Sequence, residues 1–221
     1  ELAAEALSLQ GESLPFEIAD LHFLAPLHVD TPRELRVTLP RTDTGYDMTV
    51  AGIADGAEPD TTAEASLRLH DIARPAPIDP AAITARCTRA IRRADDATLT
   101  SPQEAFLRFG PGWRTLTRTT LGTGEGIAHL RRPPSHDAMT LPPGLMDLAT
   151  GWAMDLIAGY APDHLWVPVS YASVRVFAPL TTEIVSWVRN AAPNRATDDT
   201  ATFDVTIATP DGTVLVDVAG F

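Results

Sequence analysis

The chain has no lysine: its 17 basic residues are all arginine and stand against 29 acidic residues, for a net charge of −12. That balance argues against nucleic acid as the main partner, because neutralising phosphates takes a basic face that the total does not suggest. Cysteine is almost as scarce. A single Cys87 excludes an internal disulfide framework and any zinc site built on cysteines. No apolar run approaches the ~20 residues of a membrane-spanning helix, and the first residues have neither the charged start nor the apolar stretch of a secretory signal. The expectation is a soluble, cytoplasmic chain with no membrane partner. Also lacking are a Gly-x-Ser-x-Gly nucleophile elbow, a phosphate-binding glycine-rich loop, a dinucleotide fingerprint and a His-Glu-x-x-His metal pair. Those absences remove most common cofactor enzymes.

What is present is a pattern stated twice. Leu21-His22-Phe23-Leu24-Ala25-Pro26-Leu27 returns as Val174-Arg175-Val176-Phe177-Ala178-Pro179-Leu180, and Tyr46-Asp47-Met48-Thr49-Val50-Ala51 returns as Phe203-Asp204-Val205-Thr206-Ile207-Ala208. Order and approximate spacing agree, which points to a duplicated domain. At 221 residues and 44% hydrophobic content, the chain can bury two packed halves of about 100 residues each. The expected organisation is a first half at 1–72, a Pro- and Arg-rich linker at 73–104, and a second half at 105–221. The second copy carries a further strand pair, roughly Trp113 to Arg131, before its helix. The first copy opens on its helix, so it reads as N-terminally incomplete.

Helical period in Leu2, Ala3, Ala6, Leu7 and Leu9 predicts an opening helix that Gly11 stops. Strands are predicted at Phe16–Leu27, Glu34–Leu39, Tyr46–Ile53 and Thr62–Ile72, then a short helix near Ala81–Arg93 in the linker. The second half predicts strands at Trp113–Thr119 and Gly126–Arg131, a helix at Pro143–Tyr160, and strands at Val167–Phe177, Glu183–Asn190, Ala201–Thr209 and Thr213–Gly220. Pro210-Asp211-Gly212 makes the last two a hairpin. Leu145, Leu148, Ala149, Trp152, Ala153, Leu156 and Ile157 give the second helix an apolar surface too broad for a solvent-facing helix, so a sheet must wrap it. The class is α+β.

Few residues offer chemistry. Asp147 lies near the start of the most apolar helix. Two readings are open: an ordinary first-turn acid favoured by the helix dipole, or an acid kept protonated by burial and able to give a proton to a leaving hydroxyl. Phe109-Gly110-Pro111-Gly112-Trp113 places small and rigid residues between aromatics, either for close approach of backbone to a ligand or simply as a loop entering a strand. In Val167-Pro168-Val169-Ser170-Tyr171 the tyrosine is either a half-buried strand aromatic or a hydroxyl facing a cavity. The histidines, His22, His28, His70, His129, His136 and His164, do not cluster and lack metal-ligand spacing. Arg86, Arg89 and Arg93 would share one face of a helix, with Arg92 beside them. This is either a solvated face or a patch for an acidic carrier protein.

Together these residues resemble the dehydratase domain of modular type I polyketide synthases. The family's His-Pro-x-Leu-Leu-Asp motif is matched by Pro142-Pro143-Gly144-Leu145-Met146-Asp147. Its Tyr-Gly-Pro-x-Phe element is matched by Phe109-Gly110-Pro111-Gly112-Trp113, and its Leu-Pro-Phe-x-Trp element by Val167-Pro168-Val169-Ser170-Tyr171. The resemblance implies a double hot dog, two long helices each cradled in a curled antiparallel sheet. It also implies loss of water from a 3-hydroxyacyl thioester on the phosphopantetheine arm of an acyl carrier protein, giving a 2-enoyl thioester with no metal or organic cofactor. Asp147 would be the catalytic acid, and Phe109, Gly110, Pro111, Trp113, Gly151, Pro168 and Tyr171 would bind substrate. Neighbouring synthase domains and a possible homodimer complete the expected partners.

The sequence departs from the family at several points. Pro142 replaces the motif histidine, Phe109 lacks the family's phenol, and Gly151 stands where a Gln or His is usual. The catalytic base belongs to a His-x-x-x-Gly-x-x-x-x-Pro motif just before the first helix and is expected upstream of Glu1. Alternative readings are a pyran-forming cyclase or double-bond isomerase on the same fold, or a non-catalytic structural domain.

Overall fold

A computed structural model describes residues 1–53, 59–69, 72–94, 98–132 and 139–221. The first half begins with helix α1 (Leu2–Leu9), followed by β1 (Phe16–Phe23), β2 (Glu34–Thr38), the two-residue β3 (Arg41–Thr42), β4 (Gly45–Ile53) and β5 (Asp60–Arg68). Next come α2 (Pro80–Arg86) and β6 (Ala90–Arg93). The second half contains β7 (Leu116–Leu121), β8 (Glu125–Arg131), α3 (Pro143–Gly151), β9 (Ser170–Val176), β10 (Glu183–Asn190), β11 (Phe203–Ala208) and β12 (Val214–Ala219).

The strands form one antiparallel sheet in the order β2-β4-β5-β1-β9-β12-β11-β10-β8-β7-β6, with β3 paired to β4. The repeat explains that order. Its matched strands are β1 and β9, which pair with each other from Phe16↔Val176 to His22↔Ser170. Outward from this joint the two halves run in the same sequence, β5-β4-β2 on one side and β12-β11-β10 on the other. The halves therefore share a sheet, the double hot-dog arrangement.

Helices α1 and α3 lie on one face over a common core. Ala3, Ala4 and Leu7 of α1 join Phe16, Ile18 and Leu67, while Leu145, Leu148 and Ala149 of α3 join Ile184, Val188 and Ile207. A buried polar link fixes α3: Trp152 Nε1 donates to Ser186 Oγ at 3.2 Å, and Ser186 donates to the Ala149 carbonyl at 2.5 Å. Across the joint, Glu17 faces the other way. It meets Arg68 at 3.6 Å and Arg175 at 3.3 Å, and accepts from Ser173 at 2.5 Å. Burial pushes its carboxyl up, but Ser173 and the two arginines outweigh that and hold it below the usual range.

Three expectations are corrected. The second helix ends at Gly151 rather than Tyr160, and a 3-10 turn at Met154–Leu156 follows. An apolar run this wide cannot bury every side chain on one straight helix; breaking at glycine turns Met154, Leu156 and Ile157 inward as well. The freed backbone is satisfied by Asn190 on the Leu156 carbonyl and by the Ala158 N–H on Asn194. The linker helix covers only Pro80–Arg86, capped by Asp79 on the Ala82 N–H at 2.9 Å; Ala90–Arg93 is an edge strand on β7. Arg86, Arg89 and Arg93 therefore do not share a helix face. Arg86 pairs with Glu125 at 2.6 Å, and Arg89 donates to the Asp155 carbonyl at 2.7 Å. Strand β7 starts at Leu116, because Pro111–Trp113 form a 3-10 turn.

Residues 78–87, within the expected linker, are fastened to the second half. Ile83 and Cys87 pack on Ile127, Val185 and Ala208, on the sheet face opposite α3. The Ile78 N–H donates to the Gly212 carbonyl at 3.0 Å. Gly212 adopts φ +95°, and a Cβ there would lie 2.0 Å from the Ile78 carbonyl oxygen, so glycine is required at this hairpin.

Candidate functional site

The first turn of α3 is built from Pro143 and Gly144, with the Leu145 and Met146 N–H groups both donating to the Pro142 carbonyl. Gly144 permits close packing: a Cβ at this position would lie 2.3 Å from the Gly112 carbonyl oxygen. The Pro111–Trp113 turn thus seats directly on the helix start. From there the Trp113 indole Nε1 donates to Asp147 Oδ2 at 2.7 Å, and the Phe109 ring stacks on Trp113 with centroids 6.2 Å apart and planes 14° apart.

Asp147 is the fifth residue of α3. It lies a turn beyond the positions where the helix dipole acts most strongly, so the plain first-turn reading does not describe it. Its carboxyl is open to the cavity it lines, yet protein atoms crowd it. Burial raises its pKa above the ordinary carboxylate value, and the Trp113 hydrogen bond pulls the other way.

The cavity holds about 380 Å³ and is walled by Phe109, Leu148, Met154, Trp166, Phe203 and Phe221, with Asp147, Thr150 and Gly151 also in its lining and Gln103 and Asp199 adding polar groups. A Cβ at Gly151 would meet nothing within 4 Å. A second cavity, of about 830 Å³, lies between α1 and the first-half strands and includes Leu2, Leu21, Phe23, Met48 and Tyr171 in its lining. Val167, Pro168 and Val169 line both cavities, so one extended strap divides them. The strap is tied at each end. Gln103 exchanges hydrogen bonds with the Trp166 backbone at 3.2 and 3.4 Å, and the Phe23 N–H donates to the Val169 carbonyl at 3.0 Å.

Tyr171 bridges the two sides. It is 9% exposed, stacked on Phe221 at 4.6 Å and edge-on to Phe23 at 6.1 Å. Its hydroxyl lies 3.4 Å from Thr150 Oγ1, which itself donates to the Met146 and Asp147 carbonyls. Burial pushes the phenol up to about 12, with Thr150 opposing and Asp147 adding to the rise. It therefore serves only as a neutral hydroxyl.

Of the residues singled out in the sequence, Phe109, Asp147, Gly151 and Pro168 line the first cavity, and Pro168 and Tyr171 the second. Gly110 and Pro111 are exposed and line neither of these cavities. A Cβ at Gly110 would meet nothing within 4 Å, so no contact within the chain requires glycine there. Trp113 reaches the cavity only through Asp147. Gln103 and Thr150 escaped the sequence reading. The former sits in a capping box, Ser101-Pro102-Gln103-Glu104, a pattern visible in sequence but silent about the strap that Gln103 holds. No histidine among the described residues lines either cavity. His129 lies on β8, its pKa lowered by burial and then by Arg118, and His164 pairs with Asp163. His70 and His136 lie outside the described residues.

Known proteins sharpen this picture. No curated protein matches the chain. Among solved structures, a dehydratase domain of a trans-AT polyketide synthase from Brevibacillus brevis is 17% identical with a TM-score of 0.82, over 99% of this chain and 81% of that one. The dehydratase domain from the CurJ module of curacin polyketide synthase is 18% identical, TM-score 0.81, over 100% and 78%. The dehydratase domain of RzxB from Pseudomonas fluorescens is 17% identical, TM-score 0.78, over 100% and 81%. At such identities these likenesses establish the fold. The family model described as the polyketide synthase dehydratase N-terminal domain matches residues 75–221, from the segment before α2 to the end of β12, and by that match the chain belongs to the polyketide synthase dehydratase family.

Proposed function

We propose that this chain is a hydro-lyase that removes water from a 3-hydroxyacyl thioester to give a 2-enoyl thioester in polyketide biosynthesis. The observation that carries this reading is Asp147, a carboxyl that lines a cavity and whose pKa is raised by the protein atoms crowding it. A protonated acid so placed can give its proton to the departing C3 hydroxyl. The elimination needs a second group to take the proton next to the thioester carbonyl. We assign that role to a histidine in a segment preceding Glu1. Support comes from α1, whose first residues, Glu1, Leu2 and Ala3, line the second cavity across the strap from Asp147. A base delivered at the start of α1 would face the acid from the other side of a substrate lying along the strap.

Acid and base suffice for this chemistry, so the reading requires neither metal nor organic cofactor. The substrate would arrive on the phosphopantetheine arm of an acyl carrier protein, with neighbouring synthase domains alongside and the reaction taking place in the cytoplasm. Phe109, Gly151, Pro168 and Tyr171 would contact the acyl chain, and the same fold could pair as a homodimer. Mass spectrometry of a carrier-bound 3-hydroxyacyl thioester provides the test, using this chain and a form extended upstream through the histidine motif. Loss of water with the extended form, abolished by Asp147→Asn, is the expected result. No turnover by either form across several acyl chains would overturn it.

A further inference from the structure

The Asp147 carboxyl has one protein hydrogen-bond partner among the described residues, and it is the Trp113 indole at 2.7 Å. That partner is a donor only. A protonated carboxyl has one oxygen that accepts and one that carries the proton, so a fixed N–H on Oδ2 leaves the proton on Oδ1. The indole is itself held. Gly112 packs against Gly144 with no space for a side chain between them, and Phe109 stacks along the Trp113 ring. Carboxyl, indole and turn are thus one rigid unit on the first turns of α3.

Resting on the dehydratase reading above, we propose that Trp113 is a positioning residue for the acid: it selects Oδ1 as the proton-bearing oxygen and stabilises the carboxylate left behind. In the step itself, the base takes the C2 proton and the C2–H electron pair forms the C2=C3 bond. The C3–O bond breaks, and the proton on Asp147 Oδ1 completes the departing water. Asp147 is then an anion, and the neutral hydrogen bond from Trp113 becomes a charge-assisted one, which is stronger. Because the interaction tightens as charge develops, its loss falls on kcat more than on KM.

Two measurements test this. The first needs no turnover and so separates this proposal from the reading it rests on. In this chain labelled with 15N at tryptophan, the Trp113 indole resonance should move with pH as Asp147 ionises, and Asp147→Asn should remove that titration. An indole resonance that ignores Asp147 would overturn the proposal even if the chain proves to be a dehydratase. The second uses Trp113→Phe in the extended form, which keeps the ring against Phe109 and deletes the N–H. The expected outcome is a fall in kcat of about 10- to 100-fold with little change in KM. The limb of the pH profile set by Asp147 should also move to higher pH, since the group that favours the carboxylate is gone. Unchanged kcat and an unmoved limb would overturn the assignment. Should Trp113→Phe fail to fold by circular dichroism, the indole titration decides alone.

Discussion

Strands β2 and β10 hold corresponding places in the two halves, yet their surroundings differ completely. β10 lies between β11 and β8, and Ile184, Val185 and Val188 are at most 1% exposed. Among the described residues β2 pairs with β4 alone, and Leu35 is 41% exposed. The helices diverge in the same sense. Asp147 of α3 accepts a hydrogen bond from Trp113 and lines a cavity, whereas Glu5 of α1 lines neither cavity. Duplication thus supplies the sheet and its order, and the chemistry arises where the copies stop agreeing. The differences between equivalent positions are therefore the most informative ones to disturb.

The largest contrast is between the two helix acids. Asp147→Asn should lower turnover by about 10²- to 10⁴-fold, the usual worth of a positioned general acid, while Glu5→Gln leaves it unchanged. The same substitution should not destabilise the chain at neutral pH. The folded pKa of Asp147 lies above its unfolded value, so ionising it opposes folding as pH rises through that folded value, and asparagine removes the penalty. Thermal melts across pH would read this out, and a large loss of stability in Asp147→Asn would recast the residue as structural.

Next in size is the pair of strands. Ile184→Ala deletes a side chain buried in the core between α3 and the sheet and should cost about 2–5 kcal/mol. Leu35→Ala, on the open strand, should cost less than about 1 kcal/mol. Denaturant unfolding with unchanged m-values measures both, and equal losses would mean that β2 is covered in solution.

At the joint between the halves, Glu17→Gln should cost about 1–3 kcal/mol at neutral pH, reduced toward the lower end because both arginine partners are more than a third exposed. Glu17 has a folded pKa below its unfolded one. Its contribution is present above the unfolded value and lost as pH falls through the folded value. The gap between the two proteins should therefore close in acid. A gap that persists below the carboxylate range would locate the effect in packing and not in charge.

These contrasts also mark how far the sequence could be read. The paired motifs Leu21–Leu27 and Val174–Leu180 disclosed the duplication, and the strand predicted at Glu183–Asn190 coincides with β10. Periodicity carried the helix of the second half too far, because Gly151 ends it in favour of burying both sides of the apolar run. The short edge strand at Ala90–Arg93 was hidden, since four exposed residues carry no alternation and only their pairing to β7 makes them a strand. At the site, Asp147 and the turn before β7 were legible as separate features. That Trp113 reaches Asp147 was not, because the contact depends on a glycine, Gly144, whose role is to be absent from a space of 2.3 Å. Nor could Asp20 be foreseen, with φ +52° at the irregularity in β1 between Ala19 and His22; beyond it Leu21 and Phe23 line the larger cavity.

The smallest predicted effect concerns Gly151, one of the positions where the sequence departs from the family pattern. Gly151 closes α3, lines the Asp147 cavity, and has open space where a side chain would begin. Gly151→Gln should therefore enter without strain and add about 0.5–1 kcal/mol of stability, the gain in helix propensity over glycine. Its amide would stand one turn from Asp147, a new donor in a cavity where Thr150 spends its own proton on the carbonyls of Met146 and Asp147. A single neutral hydrogen bond to the substrate hydroxyl amounts to about 1 kcal/mol, so turnover should rise by about two- to tenfold. If instead turnover falls while stability rises, the open space beside Gly151 is occupied by the acyl chain itself, and the cavity was shaped for a substrate that needs the glycine.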